Sequence, residues 1–144
     1  MDDPVILEIV GSTSSLVKTK IRELYVPAHM GITGILEHHL PYITILDFGE
    51  VFYTDQQGNH HYWYIEDGFL EVNNNQVIII SDAIQPGSEL KGDEIKGRLK
   101  EVTQKILDAK KGEISAQELD DYLEEEKRLK IKYEITQKLA KKGG

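Results

Sequence analysis

The sequence predicts an α+β fold, with a β-sandwich or barrel over residues 1–86 and an antiparallel two-helix hairpin over residues 87–144. Three observations predict it. About eight short apolar or β-branched runs recur at roughly ten-residue spacing as far as Ala83, as in all-β sandwiches and barrels. Beyond Ile84-Gln85-Pro86-Gly87-Ser88 the apolar residues take up a helical period. Finally, the helix-ending Lys110-Lys111-Gly112 is followed almost at once by Ser115-x-x-Glu118, a helix-starting capping box, so the connection is a tight reversal.

Val5 to Val10 is apolar except for Glu8 and reads as the first strand, closed by Gly11 and the polar run Ser12 to Ser15. Ile21 to Val26 alternates in part, and Pro27 is expected to stop it. Gly31 and Gly34 flank a short connection, Gly34-Ile35-Leu36 restarts an extended segment, and His38-His39-Leu40-Pro41 predicts a turn before the strand Tyr42 to Leu46. Val51 to Tyr53 and His60 to Glu66 bracket Asp55-Gln56-Gln57-Gly58-Asn59, a hairpin signal. The strongest β signal is Gly68-Phe69-Leu70-Glu71-Val72 and Val77 to Ala83, joined by Asn73-Asn74-Asn75-Gln76. Asn tolerates positive φ and closes turns locally, so this reads as a hairpin with a scaffold role.

In the helical half, Ile95, Leu99, Val102 and Ile106 are spaced four, three and four apart and form one stripe. The second helix carries two. At about 100° per residue, Tyr122, Leu129, Tyr133 and Ala140 share one line while Ile131, Ile135 and Leu139 lie on the far side. Only one of these stripes can face the first helix; the other either packs on the β domain or is a partner surface. Glu124 with Arg128 and Glu126 with Lys130 are i,i+4 pairs in the favourable order, which suffices for a solvated helix. Lys127, Arg128, Lys130 and Lys132 equally suit an acidic partner.

Composition narrows the function classes. Hydrophobic content of 40% and charged content of 29% are those of a globular protein. The absence of cysteine excludes disulfides, thiolate catalysis and thiolate zinc sites. No apolar run is long enough to span a bilayer, and the start Met1-Asp2-Asp3-Pro4 is unlike a targeting peptide, which predicts a cytoplasmic setting without direct membrane insertion. Residues 1–92 hold four basic residues against 13 acidic ones, so this half is not expected to bind nucleic acid and suits a protein partner.

Catalytic chemistry finds little support. His29, His38, His39, His60 and His61 invite a metal, but neighbouring histidines on a strand point to opposite faces and no helical His-x-x-x-His occurs. Surface or turn histidines are the simpler account. No Gly-x-Ser-x-Gly elbow or phosphate-cradling glycine loop is present, and carboxylates in an acidic chain are not evidence of a catalytic pair.

Two motifs carry a family resemblance. One is Gly31-Ile32-Thr33-Gly34-Ile35-Leu36-Glu37-His38-His39-Leu40-Pro41; the other is the Gly68-Phe69-Leu70-Glu71-Val72 hairpin with its run ending in Asp82-Ala83. Together they resemble the epsilon subunit of the F-type rotary ATP synthase, and the resemblance covers essentially the whole chain. Departures are Glu37, where the family usually has proline, and Asp67-Gly68, where it usually has two glycines. The resemblance implies an antiparallel β-sandwich followed by the helical hairpin, in a non-catalytic central-stalk subunit of a proton- or sodium-translocating enzyme. It implies three partners, namely the gamma subunit, the c-ring and the catalytic beta subunits, and a peripheral place at the cytoplasmic face of a bacterial inner membrane. The sandwich becomes the rotor-docking domain, and the turn from Met30 to His39, with Met30, Gly31, Ile32, Thr33, His38 and His39, the c-ring contact. The hairpin becomes a regulatory domain that inhibits ATP hydrolysis when extended, through Lys127, Arg128, Lys130, Ile131, Lys132, Ile135 and Leu139 against a beta subunit. Alternatives are a structural rotor clamp without inhibition and, more remotely, a β-barrel enzyme holding a metal through histidines.

Some members of the family bind ATP through Ile/Leu-Asp-x-x-Arg-Ala. The corresponding Gly92-Asp93-Glu94-Ile95-Lys96-Gly97 keeps Asp93 but puts Lys96 at the arginine, and Thr103 offers no further cation. A lysine lacks the planar guanidinium fork, so ATP binding is predicted weak or absent and no cofactor is expected.

Overall fold

The computed structural model describes residues 4–29, 31–35, 41–109 and 111–143. The chain divides into two units, Met1–Pro86 and Gly87–Gly144. The first holds strands β1 (Val5–Val10), β2 (Ser15–Ala28), β3 (Gly31–Ile35), β4 (Tyr42–Leu46), β5 (Gly49–Asp55), β6 (His60–Asn73) and β7 (Gln76–Pro86). A 3-10 turn, Gly87–Glu89, opens the second, followed by α1 (Gly92–Ala109) and α2 (Ala116–Gly143).

The strands form a β-sandwich in which β2 and β6 are shared between layers. The first half of β6 pairs with β5, from Thr54↔His60 to Gly49↔Ile65, and its second half with β4, from Leu46↔Gly68 to Tyr42↔Val72. Likewise β2 pairs with β1 through Ser15 to Ile21 and with β3 through Leu24 to Ala28. All these pairings are antiparallel; the contact of β1 with β7 is parallel, with Leu7↔Val77 and Ile9↔Ile79 in register. Strict alternation sends Val5, Leu7, Ile9, Leu70, Val72, Val77 and Ile79 into one buried core with Leu24, Val26, Leu46 and Ile65.

Three expectations are corrected. Seven strands stand among the described residues rather than eight, because β6 runs unbroken through Asp67-Gly68, where two strands were expected. Pro27 does not end β2. Its carbonyl accepts from the Asp47 N–H at 2.9 Å, so its main-chain groups face β4, and the missing N–H takes nothing from the ladder to β3. Gly31 likewise belongs to β3, opposite Ala28, instead of flanking a connection. Leu36 and the expected turn at His38-His39-Leu40 lie outside the described residues.

Strand β6 passes β7 with almost no clearance at Gly68. The register of the β6–β7 ladder shifts on both sides of Asp67, and there the Ser81 hydroxyl, buried, donates to the Asp67 carbonyl at 2.5 Å and accepts from the Ala83 N–H at 2.9 Å. A Cβ on Gly68 would lie 2.5 Å from the Ile80 carbonyl oxygen. At the hairpin tip the two-residue loop Asn74-Asn75 closes Asn73↔Gln76, with Asn74 at φ 56°.

In the second unit, Ile95, Leu99, Val102 and Ile106 of α1 pack with Tyr122, Leu129 and Tyr133 of α2, as the stripes predict. Ala140 is exposed. Gly112, at φ 80°, ends α1 by donating to the Ala109 carbonyl at 3.0 Å. Ser115 caps α2, its oxygen accepting from the Glu118 N–H at 3.2 Å.

Replacing Gly68 by alanine forces backbone apart at the β6–β7 crossing, a change that costs about 1–3 kcal/mol. Urea unfolding of Gly68→Ala is expected to show a lower midpoint with an unchanged slope; an unaltered midpoint would show that the crossing is not closely packed.

Candidate interaction surfaces

The residues of β4, β6, β7 and β1 that do not enter the core are also largely apolar. Ile45, Phe69, Ile80 and Val10 stand directly opposite one another across the four strands. At a strand spacing of about 4.8 Å they make a row roughly 14 Å long. Ile45 is 56% exposed, Phe69 54% and Ile80 43%, while Val10 is half-buried. The adjoining row is Ile43, Glu71, Ile78 and Glu8, with Ile43 71% exposed. Such a continuous apolar face bearing two carboxylates is a candidate docking surface. Sequence reasoning assigned the β6–β7 hairpin to scaffold and missed this face. The signal was available: Val77-Ile78-Ile79-Ile80 and Ile43-Thr44-Ile45-Leu46 do not alternate with charged residues as one-sided strands do.

Of the expected c-ring contacts, Gly31, Ile32 and Thr33 lie in strand β3 rather than in a turn, paired with Ala28, Pro27 and Val26. Met30, His38 and His39 lie outside the described residues. The strand end that leads to Met30 is tied to β4, with the His29 N–H donating to the Ile45 carbonyl at 3.0 Å and His29 Nδ1 lying 3.2 Å from Asp47 Oδ2.

On α2 the four basic residues lie among acidic neighbours. Lys127 Nζ and Arg128 Nη1 each approach Glu124 at 3.3 Å, and Lys130 approaches Glu126 at 3.6 Å. Lys127, then Arg128, holds the Glu124 carboxyl below its ordinary range. Lys132 is half-buried and its charge acts on Glu125. Ile135 is fully buried, Ile131 and Leu139 are half-buried, and none of the three belongs to the cluster joining α1 to α2.

Lys96 opens on a cavity of about 530 Å³ that Leu99, Lys100, Thr103, Gln104 and Tyr133 also line. Asp93 is not in that lining. The two lysines offer point charges, and Arg98, the single guanidinium of α1, is engaged by Glu125. No guanidinium is among the residues that line this cavity.

The histidines form no metal centre among the described residues, where no three metal-ligating side chains converge. His60 and His61 do face opposite ways. His60 Nδ1 lies 2.9 Å from Thr54 Oγ1, whereas His61 stacks on Tyr53 and its Nε2 lies 2.9 Å from Asp55 Oδ2. Asp55 Oδ1 accepts from the Gln57 and Asn59 N–H groups, both at 2.9 Å, and so builds the β5–β6 turn.

A sandwich with an apolar outer face, followed by a charged helical hairpin, offers surfaces suited to docking on other proteins. Residues 5–87 match the family described as ATP synthase, Delta/Epsilon chain, beta-sandwich domain. Over 122 residues the sequence is 31% identical to the ATP synthase epsilon chain of Dichelobacter nodosus, covering 85% of each chain. Over 90 residues it is 32% identical to that of Lawsonia intracellularis, covering 62% of this chain and 67% of that one. The chain belongs to the ATP synthase epsilon-chain family, whose members are stalk subunits without catalysis of their own. The fold is shared with a chain of the Euglena gracilis mitochondrial ATP synthase, described as OSCP/F1/c-ring, at TM-score 0.67 and 18% identity over 98% of this chain and 82% of that one. A chain of the Tetrahymena thermophila mitochondrial ATP synthase central stalk/c-ring gives TM-score 0.53 and 9% identity over 64% and 73%. Among the described residues no helix is long and apolar enough to cross a membrane.

Asp55 supplies a pH test of the sandwich. The His61 bond, then the turn amides, lower its pKa from 3.8 to about 2. A carboxylate depressed in the fold stabilises it fully above the unfolded value and ceases to do so as pH falls through the folded value. Wild-type stability is expected to decline between about pH 4 and pH 2, and Asp55→Asn to show a shallower decline. Parallel acid limbs in urea titrations of the two proteins would contradict this.

Proposed function

We propose that this chain is a rotor subunit that fastens the gamma subunit of an F-type ATP synthase to its c-ring and restrains ATP hydrolysis through α2. The observation that carries the docking half is the Ile45–Phe69–Ile80–Val10 row. A torque-bearing contact needs a rigid surface, and the outer side of a four-stranded sheet whose inner side forms the core is one. Glu71 and Glu8 flank Ile78 in the adjoining row, so the complementary gamma surface is apolar with basic residues beside it.

The c-ring contact falls to the segment from Met30 to His39, whose base is held by the β2–β4 bonds at Pro27 and His29. In the regulatory half, Lys127, Arg128 and Lys130 reach an acidic segment of a beta subunit by exchanging their own-helix acids for it, and Lys132, Ile131, Ile135 and Leu139 add to the same contact. ATP is not a resident ligand in this reading. The coupling ion is a proton or sodium, and the complex lies at the cytoplasmic face of a bacterial inner membrane.

Phe69→Asp places a charge where gamma excludes water, a cost of about 3 kcal/mol or more, or over about 100-fold in affinity. The variant is expected to keep its unfolding free energy within about 1 kcal/mol, the side chain being half exposed, and to lose co-purification with gamma. A folded variant that still co-purifies would refute the docking face.

Deleting residues 88–144 is expected to raise ATP hydrolysis by the reconstituted enzyme severalfold without loss of assembly. Unchanged hydrolysis would leave a structural clamp as the function.

A further inference from the structure

The two helices are joined by one apolar seam and by charge on its flanks. At about 100° per residue, Arg98 and Thr103 fall on opposite sides of the Ile95–Leu99–Val102–Ile106 stripe, and Glu125 and Glu126 on opposite sides of Tyr122–Leu129–Tyr133. Arg98 Nε donates to Glu125 Oε2 at 2.6 Å and Arg98 Nη2 to Glu125 Oε1 at 2.8 Å, a two-pronged pair across 27 positions of sequence. Thr103 meets Glu126 on the other flank at a weaker 3.5 Å.

These contacts differ in kind from four other ion pairs of the unit. Lys127–Glu124, Arg128–Glu124 and Lys130–Glu126 lie within α2, and Lys91–Glu94 joins the residue before α1 to its first turn, so parting the helices leaves them as they are. Arg98–Glu125 is lost on parting. Parting leaves neither group in a buried site. Arg98 Nη1 already lies 3.1 Å from Glu101 Oε2, one turn further along α1, and the partly exposed Glu125 carboxylate reaches solvent. That separates a releasable contact from a permanent staple: a buried pair would oppose opening far more strongly. Arg98 is 45% and Glu125 34% exposed, so salt reaches the pair.

We propose that Arg98 and Glu125 form a releasable latch that sets the balance between the closed α1–α2 hairpin and a form with the helices apart. A ligand or partner moves such a balance only through contacts that differ between the two forms, and this bidentate pair is such a contact. The seam residues Ile95, Val102 and Leu129 are exposed by release and must be covered by whatever receives the parted helices. The latch concerns the regulation read above, and it rests on that reading only for its consequence in the enzyme.

The chain has no cysteine, so Lys105→Cys with Asp120→Cys, both exposed, gives a unique pair for spin labels in the full-length protein. The double electron–electron resonance distance distribution then reports the fraction of parted helices. Arg98→Gln is expected to raise the parted-to-closed ratio about 2- to 10-fold at low salt. Molar salt is expected to raise it in the wild type and to leave the variant nearly unchanged. Arg98→Lys, which keeps the charge but not the fork, is expected to fall between them and is read instead if circular dichroism shows that Arg98→Gln loses helix. Distributions equal to wild type at both salt levels would overturn the latch, whatever hydrolysis does. Helices that part more readily in Arg98→Gln with no change in hydrolysis would keep the latch and reject the inhibitory reading.

Discussion

The passage of β6 against β7 at Gly68 is the constraint on which the sandwich depends. A single strand serves both layers, with β5 along its first half and β4 along its second. The change of layer is made where the ladder to β7 slips, and there a missing side chain and a buried serine hydroxyl replace regular pairing. Absence of a Cβ lets two backbones approach, and Ser81 supplies the hydrogen bonds that the slipped ladder cannot. From that point outward, alternation fixes which residues form the core and which face out.

Here the outward residues are as apolar as many inward ones. Burying them earns nothing in the isolated unit, so their presence on β4, β6, β7 and β1 argues for a partner, and the rigidity of the sheet argues for a permanent one. The helical hairpin is built on different terms. Its apolar seam is narrow, several of its ion pairs lie within one helix, and the contact between Arg98 and Glu125 joins the helices while Glu101 stands ready for the arginine. In the proposed reading one half of the chain is a fastening and the other a movable part.

Much of this was legible in the sequence. Strands β1 and β4, the Asn-rich turn, the α1 stripe, the matching stripe of α2 and the Gly112 and Ser115 caps all follow from local rules and stand where those rules put them. Errors arose where a local rule met a tertiary circumstance. Pro27 forbids a hydrogen bond only on the side its N–H would have faced, and register with β3 and β4 decided that side. Asp67-Gly68 looks like a break between strands, and only the proximity of Ile80 shows it to be a kink within one.

What the sequence by itself determined is the order and type of the elements, the change from strand to helix near residue 87, and the family through its two motifs. These depend on periodicity, caps and turn residues, which act over a few positions. The tertiary structure alone decided that Ile45, Phe69, Ile80 and Val10 fall in one row and that Arg98 meets Glu125. A strand's two faces look alike in sequence when both are apolar, and an arginine's choice among several acids depends on which helix face lies opposite it.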